Sequence, residues 1–335
     1  MTSTPAIPLA DPALAERLTA RLALVEESLR DTVAHADALA DSASRHLVNA
    51  GGKRLRPMLT LLVAELGDGA RREVVDAAVV VELTHLATLY HDDVMDSAPV
   101  RRGAPAAHEV WGNSVAILTG DLLFARASST VAGLGPEAVR IQARTFERLC
   151  LGQLHETVGP RDGDDPVEHY LQVLADKTAS LIATSARLGA MFAGCPAEIV
   201  ATVQAFGEKI GVAFQLADDV IDLTSTGSLT GKTPGTDLRE HVPTMPALLL
   251  RALAAGPDGT DADRALVERL DSDLSSDDEL AAVVAALGAH PVVADTRDRA
   301  VALAREAVAE LAPLPEGPVK DALLSFADAL VDRAS

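Results

Sequence analysis

At 335 residues, 48% of them hydrophobic and only 3% aromatic, the chain is long enough to bury a large core, and its formal net charge is −20. So large an acidic excess repels polyanions, which excludes a general nucleic-acid surface and argues against anchoring on an anionic membrane. An anionic small molecule would have to find a local basic site.

Ala and Leu dominate and β-branched clusters are short, so the apolar content reads as helix packing and the fold as all-α. Residues 1–48 begin polar and take up helical periodicity from Pro12, which predicts N-terminal outer helices. Gly- and Pro-rich breakers at 49–54, 67–70, 97–105, 133–137, 159–166, 194–196 and 225–236 then divide the chain into helix-length blocks. Acidic joints at 254–263 and 271–280 read as solvated surface. No joint has the length of a disordered linker and no fixed-period repeat is present, so one multi-helix domain over 1–335 is expected. The most apolar stretch, 74–90, carries Asp76, Glu82 and His85, and no basic-then-apolar signal opens the chain. A cytoplasmic protein with no stable membrane anchor is therefore expected. Cys150 and Cys195 have neither CxxC nor metal-ligand spacing and read as reduced, packed thiols.

The chemistry concentrates in two acidic clusters. In "THLATLYHDDVMD" Asp92 and Asp96 are i and i+4, about 6 Å apart on one helix face, with Asp93 alongside. Uncompensated, they repel one another, and a hard divalent cation such as Mg²⁺ removes that repulsion. "FQLADDVIDL" repeats the spacing with Asp218, Asp219 and Asp222. Three of the five lysines, Lys53, Lys177 and Lys232, stand in "GGKRLRP", "ADKTAS" and "GKTPGTD", and Arg101 and Arg102 follow the first acidic cluster. Acidic clusters for metal beside basic clusters for phosphate oxygens imply a polyphosphate ligand bridged by Mg²⁺.

These motifs, with "GN…GD" at Gly112, Asn113, Gly120 and Asp121, stand in the order seen in trans-isoprenyl diphosphate synthases, and the chain resembles that family over roughly residues 45–250 by motif. The resemblance implies an isoprenoid synthase-type helical bundle around a central active-site cavity. It implies head-to-tail addition of isopentenyl diphosphate to an allylic diphosphate such as farnesyl or geranylgeranyl diphosphate, by ionisation, condensation and elimination. It makes Asp92, Asp93, Asp96, Asp218, Asp219 and Asp222 the metal set for three Mg²⁺ per site, with Asp92, Asp96 and Asp218 as direct ligands and the others in support. Arg101, Lys177 and Lys232 would meet the allylic diphosphate, and Lys53, Arg56, His85 and Arg102 the isopentenyl diphosphate. Thr178, Gln215 and the Lys177 carbonyl would cradle the allylic cation, and the released diphosphate would take the proton. A homodimer is implied, with 113–132 as the contact. One departure is visible: where the family usually has a lysine after "GTDLRE", this chain has Val242, and Arg239 is the nearest substitute.

Chain length is then read from the residues below the first aspartates: Ala87, with Thr88 beside it, and Leu83 and Thr84 a turn further down. None is aromatic, and Tyr90 should face elsewhere. This predicts an open apolar tunnel along the helices at 71–91, 113–132 and 136–157, with Phe124 and Phe146 as candidate floors, and a product above C25. The competing readings are a geranylgeranyl or farnesyl diphosphate synthase, a class I terpene cyclase, which would not need "GGKRLRP" or a second DDxxD, and a non-catalytic subunit of a heteromeric synthase.

Overall fold

The computed structural model describes residues 9–224, 235–239 and 242–331. The predicted helices are present: α1 (Pro12–Thr32), α2 (Ala38–Asn49), α3 (Leu55–Ala64), α4 (Arg72–Met95), α5 (Ala107–Trp111), α6 (Asn113–Ala132), α7 (Pro136–Val158), α8 (Pro166–Leu174), α9 (Ser180–Phe192) and α10 (Ala197–Thr224). Further helices, from Thr236–Arg239 to Pro318–Val331, follow. Local chemistry sets their starts. Asp11 and Asp165 accept backbone N–H bonds at the first turns of α1 and α8, each followed by proline at a position where no donor is needed. Thr260 and Asp263 form a reciprocal capping box before the helix Asp261–Leu270.

Contacts divide the described residues into two compact units, neither contiguous in sequence: those up to 148, with 180–207 and 310–326, form one, and those within 149–179, 208–309 and from 327 on form the other. The first is organised on α4, whose buried residues run on every side from Val74 to Asp93 and which packs against α1, α3, α6 and α9. A helix apolar all round belongs inside a core, where each buried Val or Leu contributes about 1.5–3 kcal/mol. In the second unit α10 brings Ala217, Val220, Ile221 and Leu223 into a cluster with Leu250, Leu270, Val283 and Leu287 from the later helices.

Two departures from uniform α-helix carry motif residues. A hairpin of two-residue strands pairs Val100 with Pro105 and Arg101 with Ala104, antiparallel. Its turn is Arg102–Gly103, both with positive φ (54° and 77°), the pattern of a type I′ turn. Between α8 and α9 the chain makes one π-helical turn, Ala175–Ala179, containing Lys177 and Thr178.

By length and composition α4 and α6 could each cross a bilayer, as could the bent pair Asp277–Gly288 with Pro291–Glu310 if counted as one span. Three charged or titratable residues therefore do not remove the 74–90 stretch from that class. Protein packing buries 72% of the most apolar window of α4 and 33% of that of α6.

Candidate active site

In the first unit, the loop between α2 and α3 turns through Gly51 (φ 82°), Gly52 (φ 134°) and Arg54 (φ 49°). Gly52 suits its φ, and a Cβ there would lie 2.6 Å from Arg102 Cζ and push that guanidinium aside. Arg102 in turn donates from Nη1 to the Gly51 carbonyl. Arg54 is buried and donates to Glu82 Oε1 at 2.7 Å, Glu26 Oε1 at 2.5 Å and the carbonyls of Val48 and Gly51 at 3.0 and 3.2 Å. Arg56 carries a buried Nε with no hydrogen-bond partner. Burial pushes its guanidinium down to about 10, Glu82 opposing and Arg102 adding to the fall. His85 is held well below its ordinary value, first by burial and then by the charges of Arg56 and Arg102, so its ring is neutral near pH 7. Three of the four residues expected to receive isopentenyl diphosphate, Arg56, His85 and Arg102, thus lie within reach of one another's charge; Lys53 is exposed on the loop.

The first aspartates occupy the C-terminal turn of α4. Asp92 is half-buried and Asp96 exposed, the Asp96 N–H donating to the Asp92 carbonyl at 2.8 Å. Asp93 turns inward, 1% exposed, and Arg101 grips its Oδ1 through Nε and Nη2, both at 2.6 Å. Burial nevertheless pushes the Asp93 carboxyl up, Arg101 opposing. Arg101, expected on the allylic diphosphate, is therefore occupied by an acid of the same motif. His91, beside Asp92, contacts the Ile117 carbonyl at 3.0 Å and Asp121 Oδ1 at 3.4 Å on α6. At Gly120 a Cβ would come within 2.3 Å of His91 Nε2, so a larger residue there would displace that ring.

The residues expected to line the tail's path are closely packed. Leu83, Thr84 and Ala87 are 0–1% exposed, the Thr84 hydroxyl turns back to the Val80 carbonyl, and the Thr88 hydroxyl to that of His85. Phe124 and Phe146 meet at a 46° tilt with centroids 4.0 Å apart, and Tyr90 faces α2, its hydroxyl donating to the Ala43 carbonyl at 2.5 Å.

In the second unit, Asp218 and Asp222 on the last turns of α10 are half-buried. Asp219 is 2% exposed and its Oδ2 accepts from the Tyr170 hydroxyl at 2.8 Å and the Met245 N–H at 3.0 Å. Burial pushes this carboxyl to about 8, the two donors opposing and Asp237 and Asp218 adding. Asp219 thus ties α8 and the helix Met245–Ala255 to α10. The Thr178 hydroxyl meets Gln215 Oε1 at 3.4 Å, joining two of the expected cation-cradling groups. A π turn loosens the normal i→i−4 ladder and so turns Lys177 and its carbonyl differently from a continuous helix; the Lys177 ammonium pairs with Glu156. Arg239 pairs with Asp277 at 2.5 Å, and the Val242 N–H donates to the Asp237 carbonyl at 2.8 Å. Lys232 lies outside the described residues.

Among the described residues no three His, Cys, Asp or Glu side chains converge on one point. The donors nevertheless suit a hard dication: both clusters offer only carboxylate oxygen, and Asp93 Oδ2 is buried with no hydrogen-bond partner. Sequence reasoning missed Glu82, Arg54 and Tyr170. Glu82 had a signal, a carboxylate three residues before His85 in an apolar helix, but only the fold shows which cations it meets.

The arrangement is that of an all-α isoprenoid synthase, and similarity to known proteins agrees. The Polyprenyl synthetase family profile matches residues 37–287, and the chain belongs to that family. It is 45% identical over 328 residues to the nonaprenyl diphosphate synthase of Mycobacterium tuberculosis, covering 98% of this chain and 96% of that protein. A polyprenyl synthase from Caulobacter crescentus, solved with calcium and isoprenyl diphosphate, superposes with TM-score 0.88 at 31% identity, covering 96% of this chain and 97% of the other. A geranylgeranyl pyrophosphate synthase from Corynebacterium glutamicum, also solved with calcium and isoprenyl diphosphate, gives TM-score 0.85 at 41% identity, covering 98% and 99%. The chain is a trans-prenyltransferase of isoprenoid synthesis, from a family that uses divalent metal.

Proposed function

We propose that this chain, acting as one synthase domain over 1–335, adds isopentenyl diphosphate units to farnesyl or geranylgeranyl diphosphate and releases an all-trans polyprenyl diphosphate longer than C25. The observation that carries the long product is on α4: Ala87 and Thr88 precede Asp92 with small side chains, while Tyr90, the aromatic of that turn, is turned into α2. The near full-length likeness to a nonaprenyl diphosphate synthase supports it.

Asp92, Asp96 and Asp218, supported by Asp93, Asp219 and Asp222, would hold three Mg²⁺ that neutralise the allylic diphosphate as its C–O bond breaks. The rest falls to the chain's own groups. Arg101, Lys177 and Lys232 bind that diphosphate, with Arg101 and Lys177 exchanging their carboxylate partners for it. Arg56, Arg102 and Lys53 hold isopentenyl diphosphate beside a neutral His85, which can donate a hydrogen bond without adding charge. The Thr178 hydroxyl, Gln215 Oε1 and Lys177 carbonyl present dipoles to the allylic cation, strong enough to stabilise it and too weak to trap it.

The alternative reading is a product of C15 or C20. Incubation with Mg²⁺, labelled isopentenyl diphosphate and each allylic primer, followed by sizing of the dephosphorylated products, separates the two: a ladder ending above C25 supports the long tail, and a stop at C15 or C20 overturns it.

The working form is a cytoplasmic homodimer joined through 113–132. Ile117 and Leu118 on α6 are 43% and 65% exposed, an apolar surface that a second copy would cover. A monomer mass by sedimentation at micromolar concentration would overturn that contact.

A further inference from the structure

The anion site of the first unit is built around a buried carboxylate that belongs to none of its expected ligands. Glu82 is 1% exposed in the middle of α4, one turn before His85. Its Oε1 receives Arg54 Nη1 at 2.7 Å and has Arg102 Nη2 at 3.9 Å. Arg54, itself 3% exposed, spreads its remaining donors over Glu26 and the carbonyls of Val48 and Gly51. That loop carries three positive-φ residues in four positions, one of them a non-glycine, and would not hold such a shape unaided. Arg102, also at positive φ, rests its guanidinium over Gly52 and donates to Gly51. Two cations and a strained loop thus converge on one oxygen, while the adjoining Arg56 keeps a buried Nε without a partner.

Resting on the prenyltransferase reading of this site, we infer that Glu82, with Arg54, is a positioning pair for isopentenyl diphosphate: it fixes the 49–56 loop and Arg102 so that Arg56 and Arg102 meet the diphosphate in a ready-made geometry. Arg54 is then a strut rather than a ligand, although it stands between two expected ligands in "GGKRLRP". Preorganisation of this kind appears in affinity, because unfixed guanidinium groups must be ordered when the ligand arrives.

Charge and position act in opposite directions here. Glu82→Gln keeps the shape and makes the site one unit more positive, so electrostatics alone would tighten diphosphate binding. The positioning role requires the reverse. In the full-length protein, calorimetric Kd and steady-state KM for isopentenyl diphosphate are expected to rise by about tenfold or more, with KM for farnesyl diphosphate changing less than about twofold. Arg54→Lys, which keeps the charge but cannot reach two carboxylates and two carbonyls with one ammonium, is expected to show the same selective loss, and it carries the test if Glu82→Gln does not fold. Unchanged or tighter isopentenyl diphosphate binding in a turning-over variant overturns the positioning pair and leaves the prenyltransferase reading intact. Equal weakening for both substrates with a lowered melting temperature overturns it too, in favour of a general structural role. An unmodified protein that binds no isopentenyl diphosphate overturns both.

Discussion

The two DDxxD clusters share a spacing but not an environment. In each, the second aspartate turns into the protein while the first stays half-buried: Asp93 behind Asp92, and Asp219 behind Asp218. Asp93 is met by a cation, Arg101, and Asp219 by neutral donors, the Tyr170 hydroxyl and the Met245 N–H. In the reading proposed above, one motif divides its labour twice, with outer acids for metal and an inner acid held by its neighbours behind them, and the inner acid is an ion-pair member in one copy and a largely protonated hydrogen-bonding group in the other.

That division can be broken most forcefully at the outer acids. Asp92→Ala or Asp218→Ala should lower turnover by about a thousandfold, since the metal chemistry contributes several kcal/mol at the transition state. Circular dichroism should show the helical content unchanged, and retained activity in either variant would remove the metal assignment.

The inner acids sharpen the contrast in stability. Asp93→Asn leaves Arg101, mostly buried, facing an amide, and should cost about 2 kcal/mol in urea unfolding, less than a fully buried pair because Arg101 keeps some solvent. Asp219→Asn keeps an oxygen that accepts the same two bonds and should cost under about 1 kcal/mol at pH 7. Equal losses would mean that the two environments do not differ in charge.

The pH response follows from the same comparison. Asp219 is raised from 3.8 to about 8, so between those values the folded protein holds a proton that the unfolded chain has released. The stabilisation from this one group is fully present below about pH 4 and is lost as pH rises through about 8. Metal-free unfolding midpoints should show this decline, and Asp219→Asn should flatten it. The smallest change is in product size alone: Ala87→Phe should shorten the longest product without stopping turnover, and an unchanged ladder would mean the tail does not pass that turn.

Much of this was legible beforehand, for specific reasons. The all-α fold follows from breaker spacing and an Ala- and Leu-rich composition, and the aspartate clusters from i, i+4 geometry, both local properties. The site's second layer is not local. Glu82 and Arg54 are 28 residues apart, Tyr170 and Asp219 are 49 apart, and each pair is made by helix packing that no short window contains. The inward turn of Asp93 and Asp219 depends on which side of the last helical turn faces the core. The path of a growing tail is non-local too: residue size says what fits below Asp92, whereas the packing of several helices decides where a tail can run.

The most direct test of the divided motif compares Asp218→Ala with Asp219→Asn in one assay of Mg²⁺-dependent isopentenyl diphosphate incorporation at pH 7. The account predicts that Asp219→Asn keeps turnover within about tenfold of the unmodified enzyme while Asp218→Ala loses about a thousandfold. Two variants equally inactive would contradict it, placing Asp219 among the metal-binding acids and not behind them.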